Sequence, residues 1–283
     1  MSVSKLTIAC RTKSVTSLVT GILASQSKID VSKPIKHYVP EASSIFDNVT
    51  VQQCLDMNSG IKYDDGSHEY RAAAGWNPLR GDESHPTLHD FLSHVEAHTD
   101  GPGAGFNYAS LNTDLLGWAL ERATGKKLAE LISELLWQPM GAESDALMAV
   151  DSEGNARAAG GLCATVRDVA RIGQLVADDG RDIIPATWIE DIMHNGDKDA
   201  FAKGSWGPGF RGDFDSVAYR NFWLANSHTN VFCGLGIHGQ QLMVDRTNNI
   251  VLAKTSSLPV SVDFPTIKLV VQAFKEFQRI LTA

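Results

Sequence analysis

The chain has 283 residues, 43% hydrophobic and 20% charged, with no low-complexity stretch, so it can bury a sizeable core as one large domain or two closely packed ones. A formal net charge of −8 argues against a nucleic-acid partner, which would need a basic stripe. No run of roughly 18 apolar residues is present, so no membrane span is expected.

Residues 11–27 are predicted as a helix, because Val15, Leu18, Val19, Ile22 and Leu23 fall at helical spacing. Behind Lys5, Arg11 and Lys13 the same stretch also reads as a weak secretory leader. Thr16, Ser17, Thr20 and Gly21 dilute that signal, and the reading is a soluble, cytoplasmic chain. Further helices are predicted over 87–97, 111–125, 127–137, 166–179 and 186–194. Thr87, Thr165 and Pro185 suit helix starts, and Gly125 and Gly180 suit stops. After the glycine-rich stretch GSWGPGFRG (204–212), residues 217–225, 231–236, 241–246 and 250–256 read as strands, with DRTNN (245–249) as a hairpin turn. The tail, 264–281, is an amphipathic helix through Ile267, Val270, Val271, Phe274, Phe277 and Ile280. The layout is α+β: a mostly helical part over roughly 10–200, then an antiparallel sheet and final helix over roughly 201–283, in one unit spanning 1–283.

Some patterns carry little chemistry. Cys10, Cys54, Cys163 and Cys233 form no CxxC pair, which suits reduced thiols better than zinc or disulfides. GxGxxG at Gly234–Gly239 precedes a strand-like segment, which excludes a dinucleotide turn. His85, His89, His94 and His98 would be distributed around a helix surface, so they read as solvated and no metal site is assigned. Trp206 and Phe210, in the glycine-rich loop, are candidates for a cleft wall.

Cys10 and Lys13 stand one helical turn apart at the start of the first helix. The helix N-terminus adds a positive dipole end and free backbone N–H groups. A nucleophile with an adjacent base, beside amides that can hold an oxyanion, is an arrangement for acyl transfer.

The surrounding blocks give this pair a context. ACRTKSVTSLVTGIL, CLDMNSGIKYDD (54–65), GPGAGFNYASLNTDLLGWALERATGK (101–126), AAGGLCATVRDVARIGQL (158–175) and GIHGQ (236–240) follow one another in order. Together they resemble the serine β-lactamase and penicillin-binding-protein family, and within it the class C-like branch of 6-aminohexanoate-dimer hydrolases and related esterases. The resemblance implies that Cys10 attacks an acyl carbon, that Lys13 is its general base and that Tyr108 relays a proton to the leaving group. It implies an oxyanion hole from the N–H groups of Cys10 and Gln240, with Gly239 letting the strand approach substrate. Ile237, His238 and Ser110 fall at its substrate-binding positions. No cofactor is implied. The expected substrate is a small amide or ester, with a β-lactam or D-peptide, or a silent binding role on the same fold, as alternatives.

Three residues depart from the family pattern. Cys10 occupies the serine position, compatible with a working thiol variant, a decayed site or a silencing substitution. Ser110 replaces an asparagine. Ile237 stands where a lysine would hold a substrate carboxylate, which favours a linear amide or ester over a penicillin. Family members also carry strands before the first motif, where this chain has only Met1–Ala9. Either the sheet lacks one or two strands or the chain is a piece of a longer protein, and an exposed edge would be left open for a homodimer.

Overall fold

The computed structural model describes residues 6–81, 85–210, 212 and 216–283. Lys5, from the leader reading, and Arg211, from the glycine-rich stretch, lie outside them.

The first half contains β1 (Leu6–Thr7), α1 (Arg11–Ser25), α2 (Val51–Leu55), β2 (Ile61–Lys62), α3 (His68–Ala73), α4 (Leu88–His94), β3 (His98–Thr99) and α5 (Leu111–Thr124). Then come α6 (Leu128–Ile132), β4 (Leu147–Met148), β5 (Leu162–Ala164), α7 (Val166–Ala177), α8 (Ala186–His194), α9 (Lys198–Lys203) and α10 (Gly207–Phe210). The last part is β6 (Val217–Arg220), β7 (Trp223–Asn226), β8 (Val231–Gly236), β9 (Gln240–Asp245), β10 (Ile250–Lys254) and α11 (Phe264–Leu281). The predicted starts hold at Thr87 and Thr165, whose hydroxyls accept from the amides of Asp90 and Asp168. Gly125 ends α5 in the left-handed conformation, φ 71°. The helix predicted over 127–137 is α6 followed by a π-helical turn at Ser133–Trp137.

Strands β6 to β10 form one antiparallel meander in the order β10-β9-β8-β7-β6. The continuous strand expected at 217–225 is instead a hairpin, β6 and β7. Asn221 and Phe222 turn it, both at positive φ (48° and 59°), the requirement of a two-residue turn that matches strand twist. The turn docks on the helical side: the Phe222 amide donates to the Leu55 carbonyl, and the Ser14 hydroxyl donates to the Phe222 carbonyl. The segment before Cys10 does not extend this meander. β1 pairs with β5 in a separate three-stranded sheet, leaving β10 at the edge of the large one.

Strand β9 is buried at every position because both faces are covered. On one face α7 comes so close at Gly173 that a Cβ there would lie 2.6 Å from Val251 and 2.9 Å from Leu242. On the other lies α11, with Ile267, Val270, Val271 and Phe274 buried and Gln278 donating to Asp245 at 2.5 Å. Helix α1 runs through the centre, and Arg11 to Leu23 are all buried. Its polar face survives burial because the hydroxyls of Thr16 and Thr20 bond back to the carbonyls of Thr12 and Thr16.

The histidines are not arranged around one helix. His85 precedes α4, stacks on His94 (ring centroids 4.4 Å apart) and shares Asp90 with it. Their ligand atoms come within 4.8 Å of one another, outside the cleft described below. His89 is half-buried and stacks on Trp118 at 4.0 Å. His98 is exposed, bonded to Asp100. The four cysteines are free thiols. Among the described residues, no helix is long and apolar enough to cross a membrane.

Candidate active site

The site begins at the corner between β1 and α1. Ala9 sits at φ 48°, an unfavourable backbone for a residue with a side chain, and turns the chain sharply into the helix. Cys10 caps α1 and is half-buried, while Lys13 is buried one turn on. The amides of Arg11, Thr12 and Lys13 are spent on the carbonyls of Ile8, Ala9 and Cys10. Among the described residues no turn or cap bond takes up the N–H of Cys10 itself.

Lys13 Nζ donates to the Ala159 carbonyl at 2.6 Å and lies 5.0 Å above the centre of the Tyr108 ring. Ala159 belongs to a tight turn pinned from two sides. From α1, the Thr16 hydroxyl reaches the Ala158 carbonyl at 3.4 Å, and Thr12 accepts from the Leu162 amide. From α5, Asp114 accepts the Ala159 amide at 2.8 Å. The turn also packs on Gly117, where a Cβ would lie 2.6 Å from that of Ala158.

Asp114 is fully buried and paired with Arg157. The Tyr70 hydroxyl donates to the same carboxylate at 2.5 Å. Burial pushes that hydroxyl well above its ordinary pKa, against the pull of Arg157, so it remains a donor. The Arg157 guanidinium lies over Tyr70 at 4.3 Å and Trp76 at 5.1 Å. Its charge persists despite burial because Asp114 and Tyr70 face it.

Tyr108 is set just before α5 and stacks on Trp206, ring centroids 4.3 Å apart. Burial, then the neighbouring Cys10, raise its hydroxyl well above the usual tyrosine range. That hydroxyl is buried and, among the described residues, makes no hydrogen bond of good geometry. Ser110, the cap of α5, donates its backbone N–H to the Asp65 carboxylate at 2.9 Å.

The opposite wall is the end of β8. Gly236 lies against the β1–α1 corner, its absent Cβ 3.0 Å from the Ile8 carbonyl and 3.6 Å from the Ala9 Cβ. Ile237 and His238 follow into a turn, His238 at φ 61° with its ring bonded to the Leu258 carbonyl. Gly239, which lines the cleft, is also required by the chain itself, since a Cβ would fall 2.6 Å from Leu258. One sequence assignment changes here. Gln240 does not line the cleft: it pairs with Gly236 across the hairpin, buried, and accepts from Arg11 at 2.7 Å. Arg11 gives its other bonds to the carbonyls of Ile8 and Gln241, and burial lowers its pKa to about 10.

The resulting cleft has a volume of about 600 Å³. It brings together Cys10, Lys13, Tyr108, Ser110, Ile237, His238 and Gly239, with Trp206 and Phe210 in the wall as the sequence suggested. Asp65, Trp76, Arg157 and Ala159 line it too and were not picked out from sequence. A signal for Asp114 was present, because a carboxylate inside the apolar run LNTDLLGW must be paired if buried.

The chain matches the beta-lactamase family model over residues 4–273. It is 34% identical over 260 residues to the 6-aminohexanoate-dimer hydrolase of Paenarthrobacter ureafaciens, covering 87% of this chain and 64% of that relative. It thus spans just under two thirds of the relative's length. A Bacillus anthracis structure described as a 6-aminohexanoate-dimer hydrolase superposes with a TM-score of 0.85 at 28% identity, over 98% of this chain and 74% of that one. A family VIII carboxylesterase shares the fold, with a TM-score of 0.68 at 18% identity over 96% and 83% of the two chains. With nearly its whole length matched and its helical part and antiparallel meander in place, the chain belongs to the beta-lactamase family and has the serine β-lactamase/transpeptidase-like fold.

Proposed function

We propose that this chain hydrolyses a small linear amide or ester by acyl transfer to Cys10. The observation that carries the reading is the meeting of Cys10, Lys13 and Tyr108 at the floor of one cleft. The Cys10 sulfur attacks the substrate carbonyl carbon, and its proton passes through Lys13 and Tyr108 to the departing amine or alcohol. The oxyanion is held by the backbone N–H of Cys10 and that of Ile237. Ile237 takes the role first given to Gln240, because it follows Gly236 against the same corner and, among the described residues, no turn or cap bond uses its amide. Water then attacks the thioester through the same groups, releasing the acid and restoring the thiol.

Support for a linear substrate comes from apolar Ile237 in the wall and from the relative whose name specifies a 6-aminohexanoate dimer. The test is intact-protein mass after incubation with p-nitrophenyl acetate or nitrocefin, for this chain, for Cys10→Ser and for Lys13→Ala. An acetyl adduct on Cys10, or turnover in Cys10→Ser, lost by roughly 10²-fold or more in Lys13→Ala, is the expected result. A nitrocefin adduct in preference to the ester would move the reading to a β-lactamase. No adduct and no turnover in any of them would leave a binding role on the same fold.

A further inference from the structure

We propose that Asp114 is a positioning residue for Lys13, acting through Ala159. The inference rests on the acyl-transfer reading for its consequence, but its geometry stands by itself. Ala159 is held at both ends: its amide donates to Asp114 at 2.8 Å, and its carbonyl accepts from Lys13 Nζ at 2.6 Å. The carbonyl that fixes the lysine is thus fixed by the carboxylate.

Lys13 needs such a fixture. It has a flexible four-carbon stem, and neither Cys10 nor Tyr108 is hydrogen-bonded to it among the described residues. Its direction is set by the Ala159 carbonyl, and the bond within the described residues that orients that turn from the α5 side is Asp114 to the Ala159 amide. Asp114 is itself immobilised. It accepts from Tyr70 and Arg157, it is fully buried, and Arg157 is packed between Tyr70 and Trp76. A carboxylate satisfied on both oxygens by three donors has one low-energy orientation, which it passes to the turn. Asp114 never reaches the cleft, so it cannot act on substrate directly.

The substitution that isolates this is Asp114→Asn, which keeps the shape and removes the charge. Two readouts are taken on the folded protein: the rate of Cys10 acetylation by p-nitrophenyl acetate across pH, and the NMR signal of the ¹³Cε-labelled Lys13, assigned by its loss in Lys13→Met. Acetylation is expected to slow by roughly ten- to a hundred-fold with a displaced pH profile, the scale of a small misplacement of a reacting group. The Lys13 signal should move with it, and Tyr70→Phe, which removes one donor to Asp114, should give smaller changes in the same direction. If Asp114→Asn does not fold, Asp114→Glu takes its place, since it retains the charge facing Arg157 while shifting the carboxylate by one methylene.

A merely structural Asp114 would lower the melting temperature and leave both readouts unchanged per folded molecule, which overturns the proposal. If the parent chain is not acetylated but the Lys13 signal still moves, positioning stands and the acyl-transfer reading falls instead. If acetylation is normal in every variant, positioning falls and the acyl-transfer reading survives.

Discussion

Tyr108 lies nearly parallel to Trp206, their ring centroids 4.3 Å apart with 22° between the planes. Trp206 comes from the glycine-rich loop that precedes α10, far along the chain from Tyr108, and it stacks over the same ring that Lys13 approaches. Replacing Trp206 by Ala removes that stack and lets the phenol rotate away from Cys10. Ester turnover by the Cys10→Ser form should fall roughly ten-fold, mostly in kcat. A kcat unaffected by Trp206→Ala would show that the stack does not position Tyr108.

Arg157→Met leaves the Asp114 carboxylate buried without its cation. Breaking a buried pair from one side costs about 3–5 kcal/mol, more than the pair contributes over an apolar replacement. Urea unfolding should show that loss, and the double variant with Asp114→Asn should lose clearly less than the two single losses added. Strict additivity would mean the two residues do not interact as the structure has them.

Gly117→Ala places a methyl group 2.6 Å from the Ala158 Cβ. The Ala158–Ala159 turn must shift away from α5, at a cost of about 1–3 kcal/mol. Because that turn carries the acceptor of Lys13, Cys10 acetylation should slow as well. Gly21→Ala serves as the comparison: it meets Trp188 at 2.5 Å, at the other end of α1, and should lower stability with little change in acetylation rate. Equal kinetic effects from the two would remove the special place of the turn.

His89 supplies a pH dependence. Burial against Trp118 lowers its pKa from 6.5 to about 4. The unfolded chain therefore takes up a proton between about pH 6.5 and pH 4 that the folded chain refuses. The stability tied to a neutral His89 is full above pH 6.5 and is lost as pH falls toward 4. The melting temperature should drop over that window, and His89→Gln should flatten part of the drop. A pH profile identical in the variant would show that His89 titrates as an exposed imidazole.

The long helices were legible because each carries an apolar stripe of period 3.6, and α5, α7, α8 and α11 lie where that stripe ends at a cap or glycine. The short α2, α3, α9 and α10 carry too few residues for a period to show. The β6–β7 hairpin was missed because Phe222, an aromatic at φ 59°, is not a turn-forming residue by any local preference. Its conformation is imposed by docking on Leu55 and Ser14. In the site, Cys10 and Lys13 were readable because their relation is local to one helix turn. The link from Lys13 to Ala159 spans 146 positions and ends on a backbone carbonyl, which has no residue-type signature. Gln240 was misplaced for a related reason: the left-handed His238 sends the chain into a hairpin, so counting along the motif overshoots the cleft wall, which ends at Gly239, by one residue.

The burial of α1 on all sides has a consequence for how this cleft handles a ligand. Amides along Arg11–Leu23 sit in the part of the molecule that opens only when the whole fold opens, and they should be among the last to exchange with deuterium. Cys10, the proposed nucleophile, is therefore anchored to a fully buried element that has little room to yield to a ligand. Accommodation falls to the far side, where the segment carrying the exposed residues Pro259, Ser261 and Val262 faces the cleft and leans on the hairpin through Leu258 and Ser261. Substrates of different width would be sorted by how far that strap gives, with Cys10 as the fixed anvil against which they are pressed.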